Sequence, residues 1–227
     1  MALPIQQVII DPKSVNERLK EIFTVDMTPF LKTVQEGFNL RNEVTSNHPK
    51  TYSGTRHYCE GTAIIREELF TSGYQKYERQ NSDWVLNKEL GVLINFMAGN
   101  SSVGLVDQNP TNDKPFKKPA RNRNPKGIMF SKIAKAQLSR DLFTDVFPVN
   151  VWCWVLMYHI DYKAKVIRSE ISCPSKMGVN GKYIEEYYER IILSEISFDP
   201  ETEFDNITSP SGDAPEITVN IDVRRKA

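Results

Sequence analysis

The chain is poor in several features that usually announce a function. It has three cysteines, Cys59, Cys153 and Cys173, with no C-x-x-C pair among them. An odd, widely spaced set excludes a secreted disulfide framework and a local zinc site. The three histidines, His48, His57 and His159, are too few and too dispersed for a His-rich metal centre. Net charge is lacking too, with 29 Lys+Arg against 29 Asp+Glu. That balance argues against a globally basic nucleic-acid binder and against a charge-driven membrane coat. The most apolar stretch, residues 151–158, falls far short of the roughly 20 residues needed to span a bilayer. Residues 1–10 carry neither a basic region nor a long apolar run, so no signal peptide is expected. Asn206-Ile207-Thr208 has the form of a glycosylation sequon, which means little without a secretory signal. The expectation is a soluble protein of a reducing cytoplasm, with no membrane partner.

Hydrophobic residues make up 40% of the 227 and charged residues 26%, the mix of a folded globular protein and not of a disordered one. At this length one domain over residues 1–227 is expected. It divides into a helical region at 1–45, a core at 57–198, and an acidic loop with a terminal strand at 199–227. Asp11-Pro12 reads as an N-cap and first helical position, followed by Val15, Leu19, Ile22 and Phe23 at helical spacing. Thr28-Pro29 repeats the start signal ahead of Leu31, Val34 and Phe38. Residues 45–55 read as a loop, and 59–70 as a third helix stopped by Ser72-Gly73.

Strand signals follow. Residues 91–98 form a short apolar run before a turn, and 149–160 and 165–173 read as the two arms of a hairpin. That hairpin would set Cys153 nearly opposite Cys173. Residues 128–143 lean to helix, 181–190 to helix through Ile184, Tyr187, Tyr188 and Ile191, and 191–198 to strand. Residues 217–223 alternate apolar and polar as a half-buried strand does. The sum is an α+β domain, a central mostly antiparallel sheet with packed helices behind a helical N-terminal region.

Charge placement is the most specific feature. Lys114, Lys117, Lys118, Arg121, Arg123 and Lys126 fall within thirteen residues that contain no acid, interleaved with Pro115, Pro119 and Pro125. Such a loop suits a phosphate backbone, where each contact releases a counterion. With only Phe116 available for base stacking, the loop carries no signal for sequence readout. The bland alternative is a solvated loop offsetting Asp199, Glu201, Glu203 and Asp205.

The expected element order, helix 59–70, strand 91–98, hairpin 149–173, helix 181–190 and strand 191–198, is α-β-β-β-α-β. That order resembles the core of the PD-(D/E)XK nucleases, in topology and not in motif. The resemblance implies a divalent metal, magnesium or manganese, that activates a water for phosphodiester attack. It implies Glu170 as the third-strand acid and metal ligand, and Glu67, or alternatively Glu60 or Glu68, as the helix acid. The pattern breaks at position 172, which is Ser where the family has Lys, and no Asp opens the second strand. Asp161 falls at the wrong end of the hairpin, and Lys176 is the remaining candidate cation. Without that chemistry, Glu170 pairs with Arg168 on one strand face or stays exposed, and no cofactor is implied.

Three weaker signals complete the set. Gly99-Asn100-Ser101-Ser102-Val103-Gly104 could cradle a phosphate in a backbone nest, but it lacks the Lys-Ser/Thr of a P-loop and reads more simply as a turn. Cys59 near His57 and Cys153 near His159 make no recognisable nucleophile pair, and free cysteines are usually small buried hydrophobes. Trp152, Trp154, Tyr158, Tyr183, Tyr187 and Tyr188 cluster in the sequence and read as core. An exposed Tyr183–Tyr187 helix face would instead mark a protein partner or a homo-oligomer contact. The leading expectation is a non-catalytic binding or accessory protein that contacts a polyanion, nucleic acid first, through the basic loop. The alternatives are a metal-dependent nuclease and a protein-interaction module.

Overall fold

The computed structural model describes residues 7–79, 82–114, 151–178 and 182–199. Three helices, α1 (Pro12–Phe23), α2 (Thr28–Asn42) and α3 (Tyr52–Phe70), follow a short strand β1 (Gln7–Ile9). The remaining strands are β2 (Gln75–Arg79), β3 (Ser82–Asn87), β4 (Val92–Ala98), β5 (Trp152–Asp161), β6 (Val166–Met177), β7 (Ile184–Ile192) and β8 (Ile196–Ser197). They form one mixed sheet in the order β1-β7-β6-β5-β4-β3-β2, with β8 beside the start of β6. The β1–β7 and β4–β5 pairs are parallel and the others antiparallel, so the class is α+β.

The helices start and stop where local chemistry dictates. Asp11 caps α1 by accepting from the Ser14 backbone N–H at 3.0 Å, Pro12 opens the helix, and Thr24 ends it at φ 62°. Gly73 takes φ 81° just beyond α3, a backbone that favours glycine. α3 begins earlier than expected, at Tyr52, so the 45–55 loop is shorter than the composition implies.

All three helices lie on one face of the sheet. There Leu19, Phe23, Phe30, Val34, Ile65 and Leu69 pack against Ile94, Phe96, Trp154, Leu156, Ile171 and Ile191. The second face holds a separate cluster, with Trp84, Leu93, Met97, Val103, Val155, Met157, Ile184 and Tyr187. β5 and β6 form the expected antiparallel hairpin, with Met157 opposite Glu170 and Val155 opposite Ser172. Cys153 and Cys173 lie close in this ladder, but Cys153 joins the second-face cluster and Cys173 the helix-side one. Their thiols therefore point to opposite sides.

One expectation is corrected outright. Of the helix expected at 181–190, residues 184–190 instead belong to β7, which pairs with β6 and β1. The strand expected over 191–198 is divided between the end of β7 and β8. Without a helix after β6 the α-β-β-β-α-β order is not present among the described residues, and the topological resemblance to the nuclease core goes with it. The helix expected at 128–143, most of the acidic loop and the strand at 217–223 lie outside the described residues. Among the described residues, no helix is long and apolar enough to cross a membrane.

Candidate functional site

Among the described residues, the most organised polar feature lies on the second sheet face. β4 ends at Ala98, and the chain then crosses this face through residues 99–114. The turn at its start is internally closed: the Asn100 side-chain oxygen accepts from the backbone N–H of Ser102 and of Thr111, both at 3.2 Å. The Gly104 N–H donates to Glu170 Oε2 at 2.9 Å, and Gly104 itself sits at φ 74°. A carboxylate of the protein thus takes the backbone donor that a phosphate cradle would offer, and this segment serves as a turn.

Glu170 is the hub of that anchoring. It is 0% exposed, as is Arg190 on β7. The guanidinium grips the carboxylate in a bidentate pair, Nη2 to Oε2 at 2.6 Å and Nε to Oε1 at 3.0 Å. Ser172 Oγ donates to Oε1 at 2.6 Å. Arg190 spends its remaining donors on the crossing loop, Nη1 on the Gln108 carbonyl at 2.7 Å and Nη2 on the Leu105 carbonyl at 3.0 Å. Tyr187 adds a bond from its hydroxyl to the Pro110 carbonyl at 2.9 Å. Both carboxylate oxygens are thereby occupied by protein donors in a dry setting, which leaves Glu170 no free lone pair aimed at solvent for a metal.

The other residues of the nuclease arrangement are not brought to it. Glu67 and Glu68 lie on α3, on the opposite face of the sheet; Glu67 is exposed and Glu68 pairs with Lys32 at 2.7 Å. Lys176 is exposed and pairs with Glu186 at 2.7 Å. Asp161 pairs with Arg168 at 3.2 Å, so Arg168 has its own partner and is not the mate of Glu170. Among the described residues, no group of three or more His, Cys, Asp or Glu side chains is placed to hold a metal ion.

The basic stretch enters the picture through its first residue alone: Lys114 is described and exposed, while Lys117, Lys118, Arg121, Arg123 and Lys126 lie outside the described residues. Its point of departure is well fixed. The Asn112 side-chain amide donates to the carbonyls of Lys114 at 2.6 Å and Lys182 at 2.9 Å, while its oxygen accepts from the Ile184 N–H at 3.1 Å. Two exposed lysines from distant parts of the chain therefore share one clamp. The expectation missed Asn112, Lys182 and Arg190. An isolated arginine within the Tyr- and Ile-rich run of β7 was the available signal for the last, since such a charge must be paired if the run is buried.

The aromatic surface is also rearranged. Tyr187 is buried on the second face, and Tyr188 packs against the helix-side core. Trp152, 45% exposed, meets Tyr188 edge to face with centroids 6.0 Å apart. Cys59 is exposed, and partial burial together with Asp83 and Glu60 pushes its thiol pKa up, away from a reactive thiolate. No family model, curated protein or solved structure matches the chain.

Proposed function

We propose that the protein is a non-catalytic binding protein of the cytoplasm that holds a polyanion, nucleic acid foremost, through the basic stretch beginning at Lys114. The observation that carries this reading is the Asn112 clamp. It fixes the start of an acid-free, cation-rich segment beside a further exposed lysine, Lys182, on a loop locked down by Glu170 and Arg190. A rigid point of departure limits the ordering cost when the basic stretch that follows it meets a phosphate chain. The full commitment of Glu170 weighs against catalysis and in favour of binding alone.

The test is the anisotropy of a labelled oligonucleotide across a salt series. Affinity falls as salt rises, and the combined change of Lys117, Lys118, Arg121 and Arg123 to Ala flattens the log–log slope by about 3 to 4, near 0.9 per lost phosphate contact. Identical binding by the parent and the fourfold variant at every salt concentration would remove the proposal. A second reading, a protein-interaction surface, rests on the exposed Trp152, which leans on the half-buried Tyr188. It predicts a mass in solution above that of the monomer, restored to monomer by Trp152→Ala.

A further inference from the structure

His57 occupies an unusual position for an ionisable side chain. It sits on α3 in the layer between helices and sheet, fully buried, and neither ring nitrogen makes a hydrogen bond of good geometry. The imidazole stacks on Tyr158 of β5 with centroids 3.8 Å apart and leans on Phe96 of β4 at 5.8 Å. From α2, Gly37 presses against its edge so closely that an added Cβ would lie 2.7 Å from Cδ2. Packing on three sides leaves no room for a counterion beside the ring.

The groups facing His57 make a positive charge there costly. From α2 the Arg41 guanidinium is of like sign, and among the described residues the Val34 backbone offers the only opposing pull. From β5 comes the phenol of Tyr158, itself pushed far up by burial and so neutral, and from β4 the apolar ring of Phe96. No carboxylate of the described residues acts on the imidazole.

We propose that His57 is an acid latch: its protonation releases the α2–α3 hairpin from the sheet while the strands stay paired. The helices are the part that moves because His57 rides on α3, whereas Tyr158 and Phe96 belong to the central strands β5 and β4, each held by neighbours on both sides. Burial first, and then Arg41, hold the His57 pKa down, from an ordinary value of 6.5 to about 3. With the closed-state value below the ordinary one, the released state binds the proton more readily. The closed layer is therefore fully favoured above pH 6.5 and loses ground as the pH falls toward 3. Between pH 7 and pH 5 the released-to-closed ratio rises about 25-fold.

The experiment is hydrogen exchange on the full chain, equilibrated at a series of pH values and labelled in a brief pulse at one fixed pH. Amides of α2 and α3 lose protection on acidification while those of β4–β7 keep it, and His57→Leu moves that loss at least one pH unit lower. Arg41→Gln moves it the same way by a smaller amount. Helices and central strands losing protection together, or an unchanged midpoint in both variants, would overturn the latch. Should the Leu variant fail to fold, the wild-type protein still decides the matter, because its three histidines give three resolvable proton resonances. The latch requires the His57 resonance to titrate only as the helices release. Titration near 6.5 with α2 and α3 still protected would refute it.

Discussion

Removing Arg190 while Glu170 remains should cost far more stability than removing both. Arg190→Met deletes the bidentate partner of a carboxylate that has no exposed surface. Glu170 then keeps only the Ser172 hydroxyl and the Gly104 N–H. Leaving one member of a buried pair uncompensated costs about 3–5 kcal/mol. The carbonyls of Leu105 and Gln108 lose their donor in the same step, which adds about 1–3 kcal/mol for each that stays dry. Those terms share one cluster and do not simply sum. Against a total stability of about 5–15 kcal/mol, the single variant stands at the edge of folding. Glu170→Met strands the guanidinium in the same way. Replacing both by Met removes charge and countercharge together, an exchange that is commonly neutral or favourable for a buried pair. The double variant should therefore unfold at a higher urea concentration than either single one, giving a coupling energy of at least about 2 kcal/mol in the cycle. Its crossing loop, having lost the Arg190 donors, should be cut sooner by protease than that of the parent. Urea unfolding followed by tryptophan fluorescence reads the first effect, and timed proteolysis with mapping of cleavage within residues 99–114 reads the second. Single variants within about 1 kcal/mol of the parent would show that the pair is not the anchor described.

Two further outcomes follow from the same packing. Gly61 on α3 lies so close to Phe96 that a Cβ would fall inside the van der Waals envelope of its ring. Gly61→Ala should destabilise by about 1–3 kcal/mol despite the better helix propensity of alanine, and a raised melting temperature would contradict that close approach. With Cys59 exposed and Cys153 and Cys173 buried, a thiol reagent should modify one cysteine in the native protein and three in denaturant. Modification of Cys59 should accelerate with pH only well into the alkaline range, because its thiol pKa is raised. Rapid reaction of two or three thiols in the native state would contradict the burial.

Legibility along the chain followed how closely local pattern and tertiary role coincide. Asp11-Pro12 acts through a cap bond within a single turn, so α1 could be read directly; α2 has no side-chain cap bond, and there Pro29 in the first turn was the signal that held. The β5–β6 hairpin was legible because Trp154, Val155, Val166 and Ile167 suit a pleated surface wherever it is buried. β7 was misread for a definite reason. Relative to β6 it carries extra residues at Glu185 and Tyr188, where the register shifts. Each bulge turns the side-chain step from two to three, so Ile184, Tyr187 and Arg190 all reach the second face at intervals of three. A strand bulged twice thus carries the spacing of a helix stripe, and periodicity alone cannot separate the two. The aromatic and β-branched content of Tyr187, Tyr188, Ile191 and Ile192 was the better guide. The role of Glu170 could not be read for a different reason. Its partner stands twenty residues away, and Arg190 reaches the Glu170 face through the long-range register that sets it opposite Ser172, a pairing that no local pattern reveals. A carboxylate that resembles a metal ligand in one dimension is thereby, in three, half of the pair that fastens the loop leading to Lys114.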